Sequence, residues 1–208
     1  MPPTIGSVVE GFGDVKAVPV LLRRLAEEHG VRNLQITQPV RIPRSKIFRQ
    51  DQRVIESEVE RAIQLAVNKL PSREEGAILI VLDADLDCPA EMGPRLVETA
   101  RKLRPDVTFG VVLPKHEYEA WFLASLESLH EEKEEGRLQE YDDPESIRDP
   151  KREVSRILFP NGRYSETVDQ AKLTAKLDLQ QAQRTRSFTK LVKEVHRLLD
   201  HVCPTRER

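Results

Sequence analysis

The stretch Ile80-Val81-Leu82-Asp83-Ala84-Asp85-Leu86-Asp87 decides how this chain folds. An apolar run from Ala77 to Leu82 drives straight into three acids spaced two apart. Such a run reads as a strand buried on both faces, as in parallel sheets. Carboxylates at the end of that strand need compensation, because an uncompensated buried charge is costly. A hard divalent cation supplies it, since Mg²⁺ takes oxygen from one or two carboxylates plus substrate phosphates. Period-two spacing puts Asp83, Asp85 and Asp87 on one side for as long as strand geometry lasts. The competing reading is a solvated turn after the strand, because Asp is common in turns.

A distant acid bears on that choice. Thr4-Ile5-Gly6-Ser7-Val8-Val9 reads as a short strand ending on Glu10, followed by Gly11-Phe12-Gly13-Asp14. The glycines permit a tight turn, and Asp14 suits the N-cap of the helix that follows. Ligands of open α/β sheets gather beyond the carboxyl ends of the strands. Glu10 and Asp83 meet there if their strands are parallel neighbours. A phosphate-cradling loop is disfavoured: no GxxxxGK[ST] occurs, and Lys16 stands where GxGxxG needs its third glycine. The plainer reading of Glu10 is an acid favoured by the dipole of the next helix.

Composition narrows the class. A chain of 208 residues fits one α/β domain with a helical appendage, divided as 1–129, a charged linker or insert at 130–150, and a C-terminal helical extension at 151–208. Its 38% hydrophobic share supports a core, and its 33% charged share makes the surface strongly ionic. No apolar stretch reaches membrane-spanning length, and Met-Pro-Pro-Thr has no signal-peptide pattern. Cys88 and Cys203 make neither a disulfide framework nor a zinc knuckle, so a reducing cytoplasm is the expected compartment. The five histidines form no HExxH or HxH cluster, against zinc chemistry. A formal charge of −2 excludes a uniformly basic nucleic-acid binder but not a local basic patch.

The elements alternate along the chain. Strands are expected near 4–10, 34–42, 77–83 and 107–113, with Pro39 marking the second as an edge. Helices are expected near 15–29 and 52–70, and from the Pro89/Pro94 region to about 104. This βαβαβαβ rhythm calls for a mainly parallel, Rossmann-like sheet with helices on both faces. Residues 117–129 carry Tyr118, Trp121, Phe122, Ser125 and Leu129 on one helical stripe. Ser187 is expected to cap a last helix with Phe188, Leu191, Val195, Leu198 and Val202 on its buried face. A basic cluster, Arg41, Arg44, Lys46, Arg49 and Arg53, spans thirteen residues with one acid, Asp51. With Phe48 among them these cations are either nucleic-acid contacts or a solvated loop.

Lys115-His116-Glu117-Tyr118-Glu119-Ala120-Trp121 follows the strand ending at Leu113, again at the carboxyl edge. Helical phase places Glu119 on the flank of the apolar face, a half-buried ligand position, and Glu117 nearer solvent as a first-turn acid.

A glutamate ending the first strand before a glycine turn, then an aspartate pair ending a later strand, resembles the TOPRIM fold of topoisomerases, primases and OLD-family nucleases. The likeness covers roughly 4–125. Glu10-Gly11-Phe12-Gly13-Asp14, Leu82-Asp83-Ala84-Asp85 and Glu117-Tyr118-Glu119-Ala120-Trp121 more narrowly resemble the bacterial DUF4276 family. The resemblance implies a TOPRIM-like fold in which Glu10, Asp83 and Asp85 bind Mg²⁺ or Mn²⁺, with Glu119 completing a second site. In a two-metal reading the second ion sits near Asp85, Asp87 or Glu119. The resemblance also implies nucleic-acid cleavage, DNA being favoured over RNA, by this chain alone or with a separate ATPase. A cation to steady the transition state could come from Lys115, or from Lys172 or Lys176 if the C-terminal helices fold back. Two rivals stay open: a non-catalytic binding or regulatory module, and a nucleotidyl or phosphoryl transferase needing Tyr118, Tyr141 or Tyr164. Oligomeric state is open.

Overall fold

The computed structural model describes residues 2–43, 52–72, 75–130 and 140–204, with 52–57 as backbone alone. Its frame is a parallel sheet of β1 (Thr4–Val9), β2 (Gln35–Ile36), β3 (Val40–Arg41), β4 (Gly76–Val81) and β5 (Thr108–Val112). The order is β2-β1-β4-β5, and β3 also pairs with β1. Val9 lies opposite Val81, and Val81 opposite Val112, so three strands end level. The segment expected as one strand over 34–42 is split. β2 meets the start of β1 and β3 its end, with Pro39, which has no N–H to give, in the gap.

Helices cover both faces. In chain order they are α1 (Asp14–Glu28), α2 (Gln52–Val67), α3 (Pro89–Leu103), the single turns α4 (Ala120–Leu123) and α5 (Leu126–Leu129), α6 (Pro150–Leu158), α7 (Ala171–Lys176), α8 (Leu179–Ala182) and α9 (Arg186–Val202). Strand alternation sorts the side chains into two cores. Ile5, Val9, Leu79, Val81 and Val112 pack with α1 and α9, while Val8, Ile78, Ile80, Phe109 and Val111 pack with α2 and α3. Every residue of β4 is buried, which explains its unbroken apolar run. Each fully buried Leu or Ile there contributes about 1.5–3 kcal/mol.

The second half of the chain closes on the first core. The expected helix over 117–129 is broken at Ala124-Ser125, where Ser125 Oγ turns aside to accept the Asp178 N–H at 2.9 Å. Thr185, not Ser187, caps α9, accepting the Phe188 N–H, and Ser187 Oγ instead accepts from Trp121 Nε1 at 2.8 Å. The stretch read as linker divides: 131–139 lie outside the described residues, whereas buried Glu145 accepts the N–H groups of Arg186 and Ser187 at 3.0 Å. No helix among the described residues is long and apolar enough to cross a membrane.

Candidate functional site

Val9 pairs with Val81 at the ends of β1 and β4. Glu10 follows Val9 directly and Asp83 comes two residues after Val81, so parallel pairing sets both acids at one edge. Strand geometry stops at Val81, which limits how far the period-two argument reaches. Asp85 adopts φ +46°, and the turn carries Asp87 to an exposed position. Asp85 is tied to the next strand end. Its N–H donates to His116 O at 2.9 Å, and His116 Nδ1 lies 2.7 Å from Asp85 O. His116 itself sits at φ +66°. Two non-glycine residues in left-handed backbone, clasped across adjacent loops, are strained geometry of the kind that gathers at functional sites.

Half-buried Asp83 accepts the Tyr118 N–H at Oδ1, 3.0 Å away. Burial, then the charges of Asp14, Glu119, Glu10 and Glu117, push its carboxyl well above the usual aspartate range. Those four neighbours delimit the site. Asp14 is the first residue of α1 rather than its N-cap, which is Gly13. Its buried carboxylate accepts the Gly11 N–H at 2.7 Å and the Gln170 Nε2–H at 2.8 Å, and burial raises its pKa despite both bonds. Glu119, only 2% exposed, accepts the Tyr164 hydroxyl at 2.8 Å. Burial pushes its carboxyl up to about 8.

Glu117 does more than complement its own first turn. Its Oε2 accepts the backbone N–H of Lys151 at 3.1 Å, in the first turn of α6. Lys151 Nζ lies 3.6 Å from Glu117 Oε1 and 2.7 Å from Glu166 Oε1. Burial alone would weaken the ammonium, but Glu119, Glu166 and Glu117 outweigh it and the Lys151 pKa is raised. Among the described residues, Lys151 is thus the cation paired with the carboxylates around Glu119. Lys115 is exposed, and Lys172 lies 3.7 Å from Asp169 instead. Among the described residues no three His, Cys, Asp or Glu side chains form a ready-made metal cage. The donor chemistry nonetheless fits a hard cation: recessed carboxylate oxygens in excess of local positive charge.

Of the basic cluster, Arg41 is placed: its guanidinium carbon lies 3.9 Å from the centroid of the Phe12 ring, beside the Glu10 carbonyl. Arg44, Lys46 and Arg49 lie outside the described residues, as does the side chain of Arg53. Lys151, Glu166 and Gln170 are site residues that sequence reasoning missed, while Asp14, read in sequence as a cap, and Tyr164, named there only as a transferase tyrosine, also contact the site. One signal was present: Asp149-Pro150-Lys151 has the N-cap and N1 chemistry of a helix start, placing Lys151 in a first turn.

Close approach of the C-terminal segment fixes the glycine turn. A Cβ at Gly13 would stand 1.8 Å from Gln170 Oε1 and 2.9 Å from the Glu166 carbonyl oxygen, whereas one at Gly162 meets nothing within 4 Å. Gly13→Ala should therefore destabilise the protein by about 1–3 kcal/mol, the range for overpacking. Gly162→Ala should be close to neutral. Urea midpoints of the two variants decide it; equal midpoints would dismiss the contact.

The fold and site define an α/β protein with a carboxylate cluster at the carboxyl edge of a parallel sheet. The chain belongs to the family described as Domain of unknown function (DUF4276), whose model matches residues 9–196. No curated protein and no solved structure gives a significant match.

Proposed function

We propose that this protein is a TOPRIM-like, divalent-metal-dependent nuclease that hydrolyses phosphodiester bonds, with DNA as the favoured substrate. The observation that supports it most is the juxtaposition of Glu10 and Asp83 on neighbouring parallel strands with Glu119 behind them and Lys151 alongside. Glu10, Asp83 and Asp85 would hold Mg²⁺ or Mn²⁺, with Glu119 in reserve for a second ion. When bound, the metal supplies Lewis-acid polarisation of a phosphoryl oxygen and lowers the pKa of water. Lys151 can move from Glu166 onto a phosphate oxygen, steadying charge that grows there. Asp83, held at Oδ1 by the Tyr118 N–H, keeps a fixed orientation toward the edge. Action with a separate ATPase subunit belongs to the same proposal.

Tyrosine-mediated phosphoryl transfer is disfavoured. Tyr118 bonds Thr174, Tyr164 bonds Glu119 and Tyr141 bonds Glu153, and burial leads in raising all three phenol pKa values, Tyr141 to about 12. A specific observation favours the non-catalytic binding module: Lys151 already pairs with Glu117 and Glu166. Mixing the protein with single- and double-stranded DNA and RNA in Mg²⁺, Mn²⁺ or EDTA separates these readings. Metal-dependent cleavage supports the nuclease. A metal-dependent rise in melting temperature without cleavage, with and without candidate ATPase partners, selects the binding module.

A further inference from the structure

A cleft of roughly 690 Å³ opens beside the carboxylates, between the Phe12 turn and the segments carrying Arg152, Arg163 and Thr167. Lys151, Tyr164 and Glu166 line it while also contacting the site, so cleft and cluster share a wall. Its acids are committed: Glu166 to Lys151, and Asp149 to the N–H of Arg152 as the cap of α6. Arg152 and Arg163 are exposed, and among the described residues neither forms an ion pair. Phe12 is 62% exposed. With Arg41 seated on its ring, Phe12 also lines the cleft. An exposed aromatic ring backed by a cation, opposite two uncommitted arginines, is the pairing that takes an unpaired base and its phosphates.

We infer that this cleft is the seat of a single nucleic-acid strand, with a base stacked on Phe12 and adjacent phosphates on Arg152 and Arg163. The inference rests on the nuclease reading for its direction, since a strand so seated leads a phosphate toward Lys151 and Asp83. A duplex fits poorly because its bases are already stacked on one another and cannot use the ring. Free nucleotides offer the same chemistry but only one phosphate-bearing unit for the two arginines.

The test is binding of a fluorescent twelve-nucleotide strand to the full chain in EDTA, where no cleavage intervenes. Phe12→Leu should weaken affinity about 5- to 150-fold, the range for one lost base stack. Arg152→Ala/Arg163→Ala should weaken it and flatten the log–log salt slope by about 1.4, two phosphate contacts on a single strand. Native affinity and slope in both variants would overturn the assignment. So would a duplex, or a nucleoside monophosphate, competing as well as the strand. Strand binding that depends on these residues upholds the cleft even if no strand is ever cut. Cleavage that persists while both variants bind normally removes the cleft and leaves the nuclease reading standing.

Discussion

Asp83→Asn is expected to lose metal-dependent cleavage by about a thousandfold, since Lewis-acid assistance supplies several kcal/mol and each 1.36 kcal/mol is tenfold. The substitution is nearly isosteric, and Asn Oδ1 can still accept the Tyr118 N–H that Asp83 accepts at 3.0 Å. Loss of activity would therefore trace to loss of charge rather than of shape. The same variant should melt higher than the native protein at pH 8 without metal. Burial and the neighbouring Asp14, Glu119, Glu10 and Glu117 all oppose ionisation of Asp83, and the amide removes that opposition. Mn²⁺ at a hundred times its Kd should stabilise the native protein by about 2.7 kcal/mol and leave the variant unmoved. Cleavage assays beside melting curves distinguish the outcomes. A native protein that neither cuts nor shifts with Mn²⁺ removes the metal site. A variant that still cuts removes Asp83 from it.

The frame was legible because β4 states its burial outright: an unbroken apolar run has no solvent face, so the sheet had to be covered on both sides. From that, and from Glu10 ending the first strand, the meeting of Glu10 with Asp83 followed as soon as the two strands were neighbours. Register beyond the strand end was not legible. The chain leaves β geometry at Val81 and turns through a left-handed Asp85, so alternation stops predicting where Asp87 points. The far wall was hidden for a different reason. Tyr164 reaches Glu119 across 45 residues, and Gln170 reaches Asp14 across 156. No local period encodes contacts made by the return of a separate segment. Asp14 shows the ambiguity at a single residue. A helix-start aspartate looks like a cap in sequence, and here it does accept a turn N–H, yet it is also buried against the site. The interruption at Ser125 is similar, since the residue that breaks the helix does so to bond Asp178, 53 residues away.

Without metal the protein should be more stable near pH 5.5 than at pH 8, and Glu119→Gln should remove much of that difference. Glu119 is the clearest source: buried at 2% exposure, its pKa stands near 8 against 4.5 for an ordinary glutamate. A carboxyl whose folded pKa is raised contributes stability that is complete below its unfolded value. That stability is lost as pH climbs through the folded value, here between about 4.5 and 8. At pH 7 the loss from Glu119 alone is about 3 kcal/mol. Glu117 and Asp83 add like charge around it, Lys151 opposes them, and the Tyr164 hydroxyl bonds Oε1. Asp83 and Asp14, also raised, contribute in the same direction. His116 and His196 act the other way: burial lowers both, so each loses stability as pH falls below about 6.5. Comparing native and Glu119→Gln proteins cancels the histidines, because both carry them. The variant should gain about 3 kcal/mol at pH 7, gain little near pH 4.5, and keep its Tyr164 bond through the amide oxygen. Metal ions compete with the same proton, so Mn²⁺ should stabilise the native protein more at pH 8 than at pH 6. Denaturant titrations across that range are the measurement. Parallel stability profiles for the two proteins would mean that Glu119 is ionised throughout and that Lys151, not burial, governs its charge.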